Sequence, residues 1–318
     1  MLNFFKNFLF PQIKKTKNLV ETFELDEILK RDLKTNRVRV LDCSWYLPLE
    51  NKNARALYNS ERIPYAQMFE MDEIADKSSG LPHMMPTNEM FIKHMKEMDI
   101  RKNDHIICYD QVGMFSAPRV WFTFKVFGAP NVSILNGGLP KWKSEKLPLE
   151  TGDTFGYKRI IDKNQNNEDF DYKIDNSKIV NMREILKLSL QKKQKLTDEY
   201  IVDCRSPQRY NGEVEEPRPT KRKGHVDTAD NVFFKDLLDQ NSCFKSPEQI
   251  KAEFAKRNID LTKPMTLYCG SGATACVDIF ALSLLGKYDN IRLYDGSWGE
   301  LGNITEDQLN EILNSIKV

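Results

Sequence analysis

At 318 residues, with 40% hydrophobic and 29% charged side chains, the chain has a globular composition and is long enough for two domains with separate cores. A net charge of +1 gives no basis for a nucleic-acid or anionic-membrane partner, and no apolar run approaches the length of a membrane span. Cys43, Cys108, Cys204, Cys243, Cys269 and Cys276 form no C-x-x-C pair and have no histidine at ligand spacing, which argues against disulfides or a metal site and for a reducing compartment.

Residues 1–22 read as a leader. No acidic residue precedes Glu21, while Lys6, Lys14, Lys15 and Lys17 are basic, and Leu2, Phe5 and Leu9 share one helical face. This is the composition of a mitochondrial presequence, so a mitochondrial location is expected, with the cytoplasm as the alternative. A first unit follows over 23–150, with strand-like runs at 38–41, 106–109 and 132–135 and helical spacing at 90–98. An aromatic-rich helix at 119–127 places Trp121 and Phe124 in the core. Residues 151–177, built around the Asn- and Asp-rich stretch 162–175, read as an exposed linker. The second unit, 178–318, has strands at 201–203, 265–268 and 291–293. Strands alternating with helices predict an α/β fold with a mainly parallel sheet in each unit and a site at the carboxyl ends of the strands.

The two units are copies of one pattern. In the second, the strand end Asp203 is followed 66 residues later by Cys269 and, 26 residues after that, by Asp295. In the first, Asp42 is followed after 68 residues by Asp110 and, 26 later, by Asn136. The loop headed by Asp110 carries no cysteine, so the second copy alone has a nucleophile there.

Cys269-Gly270-Ser271-Gly272-Ala273-Thr274-Ala275 reads as a strand end, a loop of small residues and a helix start. Small side chains let successive backbone amides converge as an anion-holding nest, and the helix adds the positive end of its dipole. Both favour a thiolate, the nucleophilic form. Cys276 falls inside the following helix, where packing is its expected role.

The Asp-x-Arg strand end, the Gly224-His225-Val226 turn, the Cys269 loop and the Tyr294-Asp295-Gly296-Ser297-Trp298 closure together resemble the two-domain rhodanese family. Within it the loop is most similar to that of the 3-mercaptopyruvate sulfurtransferases. The stretches 41–48 and 115–121 resemble the same family's first domain.

The resemblance implies two tandem rhodanese-like domains, the first without a catalytic cysteine, and a persulfide intermediate on Cys269. Sulfur would pass from 3-mercaptopyruvate or a related donor to a thiol acceptor such as thioredoxin, or to cyanide, releasing pyruvate, with no metal or organic cofactor. Arg209 and Arg218 match the family's two substrate-holding arginines, and a planar guanidinium suits the adjacent oxygens of a 2-keto acid. Gly270, Gly272, Ala273 and Thr274 supply the cradle, and Ser271 is expected beside the leaving sulfur.

Two departures matter. The family's His-Ile-Pro-Gly turn reads Arg62-Ile63-Pro64-Tyr65, and Asn53 stands where an Asp is expected. The expectation is therefore a missing Ser-His-Asp relay, with Arg62 as a first-domain cation beside the Cys269 loop. A phosphatase of related fold needs an arginine at position 275, where this chain has alanine. Thiosulfate sulfurtransferase remains the enzymatic alternative, although no cationic side chain follows Cys269, and a catalytically weakened persulfide carrier is the non-enzymatic one.

Overall fold

The computed structural model describes residues 17–31, 38–153 and 167–318. Each half is built on a five-stranded, wholly parallel sheet. The first sheet joins β1 (Leu19–Val20), β2 (Val38–Asp42), β3 (Gln67–Met68), β4 (His105–Tyr109) and β5 (Val132–Leu135) in the order β1-β5-β4-β2-β3. The second joins β6 (Ile179–Val180), β7 (Tyr200–Asp203), β8 (Ala229–Asn231), β9 (Met265–Tyr268) and β10 (Ile291–Tyr294) in the matching order β6-β10-β9-β7-β8. The central strands β4 and β9 are covered on both faces, so their residues are buried in succession rather than alternately, Thr266 of β9 included.

The repeat extends to single hydrogen bonds. The N–H groups of Cys43 and Cys204 donate to the carbonyls of Tyr109 and Tyr268, each at 2.8 Å. The hydroxyls of the same two tyrosines accept the N–H groups of Ile63 and Val226. Several second-domain helices start on reciprocal caps, Asn181 with Glu184, Ser246 with Gln249 and Thr305 with Gln308, which fixes where each helix begins.

Helices Ala117–Val126 and Ala275–Leu284 follow the two equivalent loops and pack against each other across the domain boundary. Trp121 meets Phe280 edge-on, with centroids 4.8 Å apart, inside one apolar core shared by both halves. This contact brings first-domain residues to the second domain's Cys269 loop.

Two expectations change at the edges. Leu19 and Val20, read as leader, pair with Ile134 and Leu135, so the first sheet starts before residue 23. Residues 1–16, the bulk of the expected presequence, lie outside the described residues, as does 154–166 of the expected linker. Residues 167–175 are not an exposed linker: Phe170 and Tyr172 are buried on the first domain, with Tyr172 edge-on to Phe91. Two aromatic rings outweigh the polar surroundings because their burial removes a large apolar area from water. Among the described residues, no helix is long and apolar enough to cross a membrane.

Candidate active site

Cys269 closes β9 and is buried at the head of its loop. Its N–H donates to Ser297 Oγ at 3.2 Å, and its carbonyl accepts from Trp298 N–H at 3.0 Å. The Gly270 carbonyl accepts from Gly299 N–H at 2.8 Å. The loop is thereby tied to the helix Ser297–Leu301 before any ligand arrives. Gly272 has φ +75°, and a Cβ there would sit 3.0 Å from both Arg119 Nη1 and the Asp295 carbonyl oxygen. Backbone conformation and close approach thus both call for glycine.

The first-domain copy of the loop holds an anion already. The Asp110 carboxylate accepts the N–H groups of Val112, Gly113, Phe115, Ser116 and Ala117 at 2.7–3.0 Å. In the second domain Cys269 replaces that aspartate. Among the described residues, no protein acceptor is paired with the N–H groups of the equivalent Ser271, Gly272 and Thr274.

The two arginines flank this loop in different states. Arg209, at the end of the short helix Pro207–Tyr210, pairs through Nε and Nη2 with Glu216. A Cβ on Gly270 would lie 2.5 Å from Arg209 Nη2, so this guanidinium sits directly over the loop. Glu216 also receives Arg205, which is buried, bonded to Asp203, and 4.8 Å above the Trp298 ring. Arg218 lies 5.2 Å from the Trp45 ring centre and has no carboxylate within ion-pairing distance among the described residues. These side chains, with Cys269 and Ser271, line a cavity of about 380 Å³.

The missing Ser-His-Asp relay is an expectation drawn at the Arg62 turn, but another segment of the first domain brings a histidine–aspartate pair toward the site. His83, buried in the Pro-rich loop 81–86, places Nδ1 2.7 Å from Asp72 Oδ1. Its Nε2 is 3.5 Å from Arg218 Nη2, and its ring meets Trp45 edge-on at 4.5 Å. Burial holds the imidazole below its usual range against the pull of Asp72, with Arg218 and Arg119 adding to the depression. Burial opposes ionisation of Asp72 as well, but His83, the Trp45 indole and Arg218 hold its carboxyl below the ordinary value. The result is a neutral, oriented imidazole packed against Trp45 and Arg218, two residues that line the cavity.

Arg62 is not beside Cys269. It is buried within the first domain, where its backbone bridges Glu150, Nη1 donates to the Gly152 carbonyl at 2.7 Å, and the guanidinium covers the Tyr58 ring. The turn is held to its own sheet, where Ile63 N–H donates to the Tyr109 hydroxyl at 3.3 Å. Asn53 is an N-cap, accepting from Ala56 N–H at 2.9 Å. Cys276 is buried, and its thiol donates to the Gly272 carbonyl at 3.2 Å. Burial pushes this thiol up, which suits packing rather than attack.

Sequence reasoning missed His83, Asp72, Glu216 and Arg119. His83 stands in an aperiodic loop, so no spacing marks it. The available signal was scarcity, since the chain has only four histidines.

The rhodanese-like domain model matches the chain twice, at residues 25–145 and 183–303. The 3-mercaptopyruvate sulfurtransferase of Mus musculus is 34% identical over 293 residues, covering 91% of this chain and 93% of its own. The thiosulfate/3-mercaptopyruvate sulfurtransferase 1, mitochondrial, of Arabidopsis thaliana is 34% identical over 286 residues, covering 86% of this chain and 73% of its own. The crystal structure of SseA from Escherichia coli, reported for 3-mercaptopyruvate sulfotransferases, superposes with a TM-score of 0.74 at 31% identity. It covers 89% of this chain and 99% of that one.

Proposed function

This chain belongs to the rhodanese-like family and is a sulfurtransferase, and we propose that it takes sulfur from 3-mercaptopyruvate through a Cys269 persulfide and passes it to a thiol acceptor. The observation that carries this reading is the replacement of Asp110 by Cys269 at the head of one repeated loop. In the first domain the loop spends five amides on a carboxylate; in the second the equivalent amides of Ser271, Gly272 and Thr274 have no protein acceptor among the described residues and are available to a sulfur anion on Cys269.

The chemistry balances with these residues alone. The Cys269 thiolate attacks the donor's sulfur, the S–S bond forms, and the carbon–sulfur bond breaks with its electrons leaving as the enolate of pyruvate. The donor's thiol proton passes to neutral His83 and from it to the methylene carbon, yielding pyruvate and a persulfide anion. Asp72 stabilises the imidazolium formed in between. Arg218 and Arg209 hold the carboxylate and carbonyl oxygens and draw charge from the enolate. The amides of residues 271, 272 and 274 hold the persulfide, and Ser271 hydrogen-bonds the sulfur in transit. An incoming thiol then takes the outer sulfur and restores the Cys269 thiolate, with thioredoxin or cyanide as acceptors. The absence of acidic residues before Glu21, with four lysines there, supports a mitochondrial address.

Pyruvate release, measured with 3-mercaptopyruvate and a thiol and compared with sulfite release from thiosulfate, tests the donor. Faster turnover of the keto acid is expected. Turnover of thiosulfate alone would replace this reading with the other family activity, and turnover of neither would leave a carrier.

A further inference from the structure

Arg119 and Asp295 meet at 2.7 Å across the domain boundary, and both side chains are almost wholly buried. Arg119 also donates to the carbonyls of His83 and, at 3.4 Å, Gly272. Asp295 accepts the Met85 N–H at 2.8 Å. The pair therefore grips the His83 segment at two points, carbonyl 83 and amide 85, while touching the Cys269 loop at Gly272.

The repeat supplies an internal control. Asn136, the counterpart of Asp295, accepts the Phe244 N–H at 3.1 Å and so makes the equivalent docking bond with a neutral amide. Asp278, the counterpart of Arg119, forms no ion pair among the described residues, and its buried carboxyl lies near the Cys204 thiol. Domain docking thus works without charge on one side of the pseudo-dyad. A buried ion pair is poor value for stability, because desolvating two charges offsets most of their attraction. Its presence only beside the catalytic loop needs another reason.

We infer that Arg119, with Asp295, is a positioning residue that fixes the first domain's His83–Asp72 pair in register with the second domain's Cys269 loop. The inference rests on the mercaptopyruvate reading only for its kinetic readout. Because the clamp acts through His83, removing it should resemble removing the imidazole. It should slow proton transfer and leave donor binding by Arg218 nearly intact.

The test combines a mutant cycle with amide exchange on the full chain. Arg119→Met and Asp295→Asn are each expected to lower kcat for 3-mercaptopyruvate roughly tenfold or more, the scale of a small misplacement at a reacting centre, with KM changed less than about threefold. Adding either change to His83→Asn should give little further loss. Asp295→Asn keeps the fold accessible, since it copies the amide that already works at Asn136. In Arg119→Met, exchange of the Met85 amide should rise about tenfold or more as the clamp is lost. Additive kinetic losses, or unchanged Met85 exchange, would overturn the clamp. If the wild type releases no pyruvate, the donor reading falls, and Met85 exchange still decides the clamp.

Discussion

Asp110 and Cys269 occupy the same point of one loop, and the carboxylate of the first gathers five amides, whereas the counterparts of three of them, at Ser271, Gly272 and Thr274, have no protein acceptor among the described residues. The first domain is therefore more than a copy lacking its nucleophile. Its cradle is filled from within, and the filled cradle is part of the domain's structure.

Asp110→Ala should consequently destabilise the protein by at least about 3 kcal/mol, because several charge-assisted bonds to buried amides are lost together. Denaturant unfolding measures this. A change below about 1 kcal/mol would mean that the loop keeps its shape without the anion.

The two arginines should separate in function. Arg218→Ala is expected to raise KM for 3-mercaptopyruvate by about 30-fold, on the scale of roughly 2 kcal/mol for one charge-assisted contact, and to affect thiosulfate less. Arg209 is already neutralised by Glu216, so Glu216→Gln should shift relative kcat/KM toward the dianionic thiosulfate. Equal effects on both donors would assign these residues to a shared anion site or to the fold.

His105 gives the fold an acid-sensitive point. Burial lowers its pKa to about 4, and Nε2–H donates to Ser133 Oγ, which itself donates to the Lys17 carbonyl. The unfolded chain binds a proton near pH 6.5, whereas the folded one resists until about 4. Stability is then full above the unfolded value and lost as pH falls through this window, by about 3 kcal/mol. His105→Gln should flatten that slope in thermal unfolding scans between pH 4 and 7. An unchanged slope would place the acid sensitivity elsewhere.

Asp278 should show the opposite sign. Burial holds its carboxyl well above the ordinary range, with the nearby Cys204 thiol opposing only in part. The folded state therefore keeps a proton that the unfolded chain releases, and this group's contribution weakens as pH rises above the unfolded carboxylate value. The Tm advantage of Asp278→Asn should grow from pH 5 to pH 8. An advantage independent of pH would show that Asp278 is ionised in the folded protein.

The sequence displayed the sheet cores because β4, β5, β9 and β10 are short, mostly apolar runs between loops. It did not display β1, β3 and β6, which are two residues long and carry no period. The second-domain half of the site was readable because its residues lie within two contiguous stretches, 203–218 and 269–274. The first-domain half was not: His83, Asp72 and Arg119 reach the loop only through domain docking, which spacing along the chain does not encode. Aligning Arg62 by its Ile-Pro neighbours placed the first-domain contact on the wrong turn.

The central claim is that Cys269 alone carries sulfur, and it is tested most directly by intact-protein mass after brief treatment with 3-mercaptopyruvate and no acceptor. The wild type and Cys276→Ser should each gain the mass of one sulfur atom and lose it on adding a thiol, while Cys269→Ser gains nothing and releases no pyruvate. A Cys269→Ser protein that still takes up sulfur and turns over would contradict the account.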